Sequence, residues 1–342
     1  MLAIRTMTEA DGARWDAYVD GASEATFFHR AGWRAAIERG FGHPTHYLVA
    51  EEDGIIVGVL PLVHLKSRLF ANALVSTAFC VGGGPIGRDG AVRAALDDAA
   101  AALADRLDVD FLEYRCAPSR SEGWSTRSDL YFNFSRSLDP DPEKNLLAIP
   151  RKQRAEVRKA IKLGLTGTID DTVDRFYDLY AESVRNLGTP VFGKRYFQAL
   201  KEVFGEACEI LVVSREGTPV AALMSFYFRD RVLPYYAGGG GAARGTSAHE
   251  FMYWDVMRRA CARGISCFDF GRSKIGTGSF AFKKNWGFAP EALTYGYRLR
   301  HLDAVPEINP LNPRYRMFVA LWKRLPLGVS KLVGPWIARS LG

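Results

Sequence analysis

One order of elements occurs twice in this chain, and it limits the possible folds more than any other feature. Residues 47–50 and 55–65 read as strands about the turn Asp53-Gly54, and residues 72–81 read as a third strand running into Gly82-Gly83-Gly84-Pro85. An alanine-rich helix over 92–107 and a strand over 110–114 follow. The order then returns: residues 210–214 and 220–228 flank Glu216-Gly217, residues 232–237 run into four glycines at 238–241, a helix covers 250–263 and a strand covers 265–270. Matching order at matching spacing predicts a structural duplication. The fold class expected is α/β of the α+β kind, with two tandem lobes, each a mixed, largely antiparallel sheet flanked by helices. The expected boundaries are 1–138 for an N-terminal supporting lobe, 139–164 for a basic connecting helix, 165–300 for a C-terminal active lobe and 301–342 for a basic-aromatic tail. A chain of 342 residues, 48% of them hydrophobic, is long enough to build two cores.

A strand that runs through glycines into a helix presents free backbone N–H groups, a seat for an anion such as pyrophosphate. Both halves have such a loop, but only the second adds polar ligands. There Gly239, Gly240 and Gly241 are followed by Arg244, Thr246 and Ser247, whereas the first loop offers Arg88 and Asp89. The second half is therefore expected to bind the donor. Just beyond it, residues 267–288 read CFDFGRSKIGTGSFAFKKNWGF. Asp269 stands in a buried strand, where a carboxylate needs partners. Arg272, Ser273 and Lys274 follow between glycines, a polar set that no core requires. Phe280, Phe282 and Lys284 alternate at a strand period, which places Lys284 on the aromatic face and Lys283 opposite it. The plain alternative is a hairpin with solvated lysines; the density of Asp, Arg, Ser, Lys and Trp286 favours a site.

The net charge of +7 favours anionic partners. It is concentrated in one helix, where Arg151, Lys152, Arg154, Arg158, Lys159 and Lys162 stand against a single Glu156. Such a stripe repels itself unless an anion lies nearby, although a solvated connector is the ordinary reading. The five cysteines are scattered without metal-ligand spacing, so no zinc site or disulfide scaffold is expected, and no metal is assigned. No secretory leader and no stretch of bilayer-spanning length is visible, which predicts a cytoplasmic protein without a transmembrane segment. The tail over 317–341 mixes Phe318, Leu321, Trp322 and Trp336 with Lys323, Arg324, Lys331 and Arg339, a composition suited to a helical lid or to peripheral contact with the inner membrane.

The basic helix PRKQRAEVRKAIKLG, the hairpin REGTPVAALMSFY, the loop YYAGGGG and the segment FDFGRSKIGTGSFAFKKNWGF together resemble the FemAB family, whose members have two GNAT-like halves. The likeness covers nearly the whole chain. It is nearest to the FemAB-like proteins that accompany exosortase and PEP-CTERM surface systems. The resemblance implies transfer of an acyl or aminoacyl group to an amine, with acyl-CoA or aminoacyl-tRNA as co-substrate and no tightly bound cofactor. The implied acceptor is anionic, a small molecule or a lipid-linked precursor of peptidoglycan or exopolysaccharide. By position, Phe282-Lys283 matches the family's Phe-Lys, and Trp286-Gly287 its aromatic-Gly pair. No inserted coiled-coil arm is visible, and 239–247 does not spell the usual acetyl-CoA loop, so acyl-CoA and aminoacyl-tRNA both stay open as donors. The chemistry asks for charge stabilisation, assigned to Lys283 or Arg272, and proton uptake, assigned to Asp269 or Tyr236. The acceptor or its phosphate is assigned to Arg151, Lys152, Arg154, Arg158, Ser273, Lys274 and Trp286. The rival reading is a non-catalytic protein that binds an anionic glycan or lipid carrier.

Overall fold

The computed structural model describes residues 1–67, 72–117, 122–305 and 313–340. Parts of the expected tail (306–312 and 341–342) and of the expected first lobe (68–71 and 118–121) lie outside the described residues. The chain divides into two compact units, Met1–Leu130 with Leu293–Ile308 and Arg339–Gly342, and Tyr131–Ala292 with Asn309–Ala338.

The first unit runs β1 (Leu2–Thr6), α1 (Gly12–Gly21), α2 (Gly32–Phe41), β2 (Leu48–Glu52), β3 (Ile55–Leu60), β4 (Val63–Lys66), β5 (Asn72–Ser76), β6 (Ile86–Gly87), α3 (Gly90–Arg106), β7 (Phe111–Tyr114) and most of β8 (Ser125–Asn133). Its antiparallel sheet has the order β1-β2-β3-β6. A second set pairs β4 with β5 in antiparallel fashion and β5 with β7 in parallel, Ala73 opposite Phe111 through Ser76 opposite Tyr114. The parallel pair needs a crossover, and α3 supplies it. Val92, Leu96, Ala100 and Leu103 at helical spacing bury one face of α3 against Leu48, Val57, Leu74 and Leu112. The third strand stops at Ser76, five residues short of the expected 81. Gly83 lies so close beneath it that an added Cβ would stand 2.1 Å from the Ser76 carbonyl oxygen, so the first glycine loop serves close packing.

The second unit runs β9 (Ser135–Ser137), α4 (Pro142–Ala148), α5 (Arg151–Lys162), β10 (Thr166–Asp170), α6 (Asp174–Leu187), α7 (Lys194–Phe204), β11 (Cys208–Arg215), β12 (Thr218–Phe228), β13 (Arg231–Gly239), α8 (Ala248–Ala262), β14 (Cys267–Asp269), β15 (Ser273–Lys274) and α9 (Gly278–Asn285). The chain then enters β16 (Glu291–Leu299), and α10 (Pro313–Trp322) and α11 (Leu327–Ala338) complete the unit. Its sheet has the order β10-β11-β12-β13-β14-β9. Every neighbouring pair is antiparallel except β13 with β14, which are joined through α8. Both units thus hold a parallel pair with one crossover helix, in mixed, largely antiparallel sheets flanked by helices, as the repeated order predicted. On one face of the second sheet Leu211, Leu223, Val232 and Phe268 pack with Met252, Val256 and Met257 of α8. On the other, Tyr236 of β13 meets Phe197 of α7 at 5.2 Å between ring centroids.

Two local expectations change. Residues 280–284 are helical rather than extended: Thr277 caps α9 by accepting from the Phe280 N–H at 3.4 Å. Phe282 and Lys284, two residues apart, then point to different sides, whereas a strand period would place them on one face. The basic segment is two helices, because Pro150 lacks an N–H and holds Ile149 extended (ψ 132°), ending α4 before α5 begins. α5 buries Val157 and Ala160 against the core that contains α8, leaving its cations outward.

Candidate functional site

β13 and β14 pair only at Arg231 with Cys267 and Val232 with Phe268. β13 then continues to Gly239, whereas β14 ends at Asp269, so the parallel strands part towards their C-terminal ends. Both strands feed the candidate residues from that end. Asp269 is only 16% exposed; its Oδ1 accepts from Asn133 Nδ2 at 3.1 Å and from the Gly271 N–H at 2.9 Å, and Arg231 lies 3.9 Å from Oδ2. The buried carboxylate is thereby partnered, and it fixes the turn that leaves the strand.

Lys283 projects from α9 into that same turn. Its Nζ donates to the carbonyl oxygens of Phe270 at 2.7 Å, Gly271 at 2.9 Å and Arg272 at 3.0 Å. Three acceptors match the three N–H groups of an ammonium. Burial opposes the charge and pulls the Lys283 pKa down to about 7, with the carboxylate of Asp269 acting the other way. Lys284, next to it, is exposed. The segment that Lys283 holds carries Arg272, whose guanidinium lies 4.6 Å over the Tyr131 ring, and then Ser273 and Lys274, which pair with Phe132 and Tyr131 of β8. Ser273 is 5% exposed and its Oγ has no hydrogen-bond partner among the described residues. The structure therefore brings Asp269, Arg272, Ser273, Lys274 and Lys283 together at one strand end.

Two expected residues are placed elsewhere. Trp286 is fully buried, 6.0 Å from Phe270 and 5.9 Å from Phe282 between ring centroids, so its packing leaves no face for a ligand. Tyr236 is on the sheet face away from α8, its hydroxyl 2.9 Å from that of Tyr196 and its ring set among Tyr180, Phe192 and Phe197. The residue types were suggestive in both cases. A side chain's face, however, depends on register, and β13 carries a bulge where Met224 and Ser225 oppose Tyr236 and Pro234.

At the C-terminal end of β13 the four glycines divide into two uses. An added Cβ on Gly238 would stand 2.4 Å from the Tyr180 Cα, and one on Gly239 would stand 2.5 Å from the His249 ring, so these two permit α6 and α8 to approach. Gly240 and Gly241 lead into the loop proper. Thr246 is buried and its hydroxyl donates to the Ala243 carbonyl at 2.7 Å; Arg244 is exposed and without an ion pair among the described residues. Ser247 takes a left-handed conformation, φ 58°, and no side chain caps α8. Here the two units differ in chemistry. At the matching helix of the first unit, Asp89 accepts from the Val92 N–H at 2.9 Å and Arg88 pairs with Asp89 and Glu52, so that helix start carries its own anion. The α8 start has no side-chain cap, and its acidic residue, Glu250, stands within the first turn.

Sequence reasoning missed two carboxylates at this loop. Glu182 of α6 accepts from the Gly241 N–H at 2.9 Å, and Glu156 of α5 accepts from the Ser247 hydroxyl at 2.5 Å. Neither has a local signal, since they stand 59 and 91 positions from their partners. Glu156 attaches the basic helix to the loop. On its outward side Arg151, Arg154, Arg158, Lys159 and Lys162 line an open groove of about 580 Å³, and Lys152 is exposed beside them. Among the described residues, Arg154, which donates to the Leu147 carbonyl at 2.5 Å, and Lys159, 3.8 Å from Glu156, are the ones of these cations with protein partners.

The position of Glu182 gives a test of the loop. A carboxylate about 4 Å from a bound phosphate costs about 1 kcal/mol in a water-like medium. Glu182→Gln keeps an acceptor for Gly241 and removes the charge, so it should tighten pyrophosphate binding several-fold by calorimetry. Weaker binding would mean that the carboxylate itself holds the loop in its working shape.

Among the described residues no group of three or more His, Cys, Asp and Glu side chains could hold a metal ion. Residues 151–284, from the basic helix through Lys284, match the family described as Acetyltransferase (GNAT) domain. No curated protein matches the chain. Among solved structures it is similar to FemX, at 14% identity over 87% of this chain and 98% of that one, with a TM-score of 0.68. It is also similar to L-PGS from Bacillus licheniformis, at 13% identity over 95% and 97% of the two chains (TM-score 0.58), and to a tandem GNAT protein from the clavulanic acid biosynthesis pathway, at 13% over 86% and 98% (TM-score 0.54). At such identities the likeness is one of fold: the chain has a tandem GNAT-like architecture.

Proposed function

We propose that the chain is an N-acyltransferase of the FemAB and GNAT type, carrying an acyl or aminoacyl group from acyl-CoA or aminoacyl-tRNA to an amine of a cell-envelope or exopolysaccharide precursor. The observation that carries this reading is the contrast between the two helix starts: α3 is capped by its own Asp89, whereas α8 is uncapped beside a glycine loop where β13 and β14 part. A donor pyrophosphate fits that seat, with Gly239, Gly240 and Gly241 allowing close approach and Arg244, Thr246 and Ser247 around it. In this reading residues 1–138 support, 139–164 connect, and 165–300 transfer. The α5 stripe with Arg151, Lys152, Arg154 and Arg158 binds the anionic part of the acceptor, a small molecule or a lipid-linked carrier, or a tRNA donor, and Ser273 and Lys274 meet its amine-bearing end. A peripheral position at the inner membrane, reached from the cytoplasm through the 301–342 tail, would bring the enzyme to a lipid-linked acceptor. The association with exosortase and PEP-CTERM systems rests on the sequence resemblance alone.

The transfer needs no covalent enzyme intermediate. The amine lone pair forms a C–N bond at the donor carbonyl carbon, the C–S bond of a thioester or the C–O bond of an aminoacyl ester breaks, and the leaving group departs with the electron pair. The proton lost by the amine passes to Asp269 through water, and Arg272, on the segment held by Lys283, faces the developing oxyanion. Incubation with a panel of acyl-CoA donors and amine acceptors, following free thiol and product mass, should show donor-dependent thiol release that requires the acceptor. Native mass spectrometry of the purified protein should show a CoA-class or anionic carrier ligand. An anionic glycan or lipid carrier bound with neither thiol release nor aminoacyl transfer would favour the second reading of a non-catalytic binder, which the cationic groove of α5 supports.

A further inference from the structure

We propose that α11 docks the protein on the surface of an anionic lipid bilayer, lying in the interface with Val329, Leu332, Val333 and Trp336 immersed. This goes beyond the transfer chemistry. It shares with that reading only the membrane address, and the two can fail separately.

α11 packs with its small side inward. Ser330, Gly334 and Ala338, four residues apart, face the body of the second unit, and Gly334 approaches it so closely that an added Cβ would lie 2.8 Å from the Val191 nitrogen. Polar contacts hold that orientation: Lys331 Nζ donates to Asp178 at 2.5 Å, and Arg185 donates to the Leu325 carbonyl at 2.9 Å just before the helix. The opposite stripe, spaced i, i+3, i+4, i+7, is consequently turned outward, with Leu332 80% and Trp336 79% exposed. α10 does the same with Met317 and Leu321, 74% and 59% exposed, while Trp322 is buried. Of fifteen large apolar side chains exposed among the described residues, seven fall within 317–336. An apolar face of this size on a held helix marks an interaction surface.

Charge selects the occupant. Residues 313–342 contain Arg314, Arg316, Lys323, Arg324, Lys331 and Arg339 and no Asp or Glu. A second copy of the chain would set this cationic segment against itself across a two-fold axis with no carboxylate within the segment to pair with, whereas an anionic headgroup layer can pair with the cations other than Lys331, which Asp178 engages. The helix has 12 residues, about 18 Å of length, against a hydrocarbon core of about 30 Å, so it can lie in the interface and cannot cross it. An exposed Trp beside aliphatic side chains and flanking cations is the composition that partitions there.

The test uses the full chain in co-sedimentation with vesicles of phosphatidylethanolamine and phosphatidylglycerol, and with vesicles of phosphatidylcholine. Binding to the anionic vesicles that weakens with added salt is expected, and the double variant Leu332→Ser, Trp336→Ser should weaken it at least tenfold while leaving the thermal transition in place, because both side chains are solvent-facing. Lys323→Glu with Arg324→Glu, also exposed, should weaken it independently and serves if the first variant fails to fold. Equal binding to both vesicle types, no binding to either, or unchanged binding by the two variants would overturn the proposal. So would light scattering that shows a dimer dispersed by the Leu332, Trp336 variant, which would assign the face to a second copy.

Discussion

Lys283→Met should lower single-turnover transfer by roughly 10²-fold, the scale of a catalytic group displaced by about 1 Å or of a lost oxyanion donor, while Lys284→Met should leave it nearly unchanged. The two lysines differ because α9 turns one of them inward. Lys283 Nζ spends all three N–H groups on the carbonyls of Phe270, Gly271 and Arg272, so its loss frees the segment that carries Arg272 and Ser273. Each buried carbonyl left without a donor costs about 1–3 kcal/mol, set against the relief of removing a buried charge, so the fold should persist with a looser turn. The pH dependence separates this role from ordinary packing. The acceptor amine must be neutral, so its contribution to the rate rises with pH. The Lys283 ammonium, with its pKa pulled down to about 7 by burial, loses its third N–H as pH rises through that value. The wild-type rate should therefore carry an alkaline limb near pH 7 that is absent from Lys283→Met. Equal rates for the two lysine variants, or an alkaline limb that survives in Lys283→Met, would remove Lys283 from the mechanism.

Acyl-CoA, and free CoA with it, should raise thermal stability by about 2.7 kcal/mol at a hundredfold excess over the dissociation constant, because a ligand bound only by the native state shifts unfolding by mass action. The physical source is the α8 start, where no side chain caps the helix and Arg244 has no ion pair among the described residues. Arg244→Ala should reduce the shift, and the first unit's Arg88→Ala should not, since Arg88 is already engaged by Glu52 and Asp89. If neither CoA compound protects while aminoacyl-tRNA binds with a steep salt dependence, the donor is RNA and the α5 cations become its phosphate contacts.

What could be read in advance follows from how local each signal is. The duplicated order, the two glycine loops and the basic helix are written in contiguous residues whose periodicity and turn chemistry act within a few positions, so the two-lobed α/β class and the strand that ends at Asp269 were legible in advance. Local signals also misled where two periods fit the same few residues, as at Phe280 to Lys284, where the Thr277 cap selects a helix. The Asp89 cap of α3 is a local signal three residues from Val92, whereas the turn of Ser247 towards Glu156, 91 positions away, emerges only in the folded chain. The tertiary structure also decided that Trp286 is core, that Tyr236 stands on the far face, and that α11 shows its large side to solvent. Each of these outcomes is set by packing between residues tens of positions apart, and burial and partner choice at that range leave no mark in the order of neighbouring amino acids.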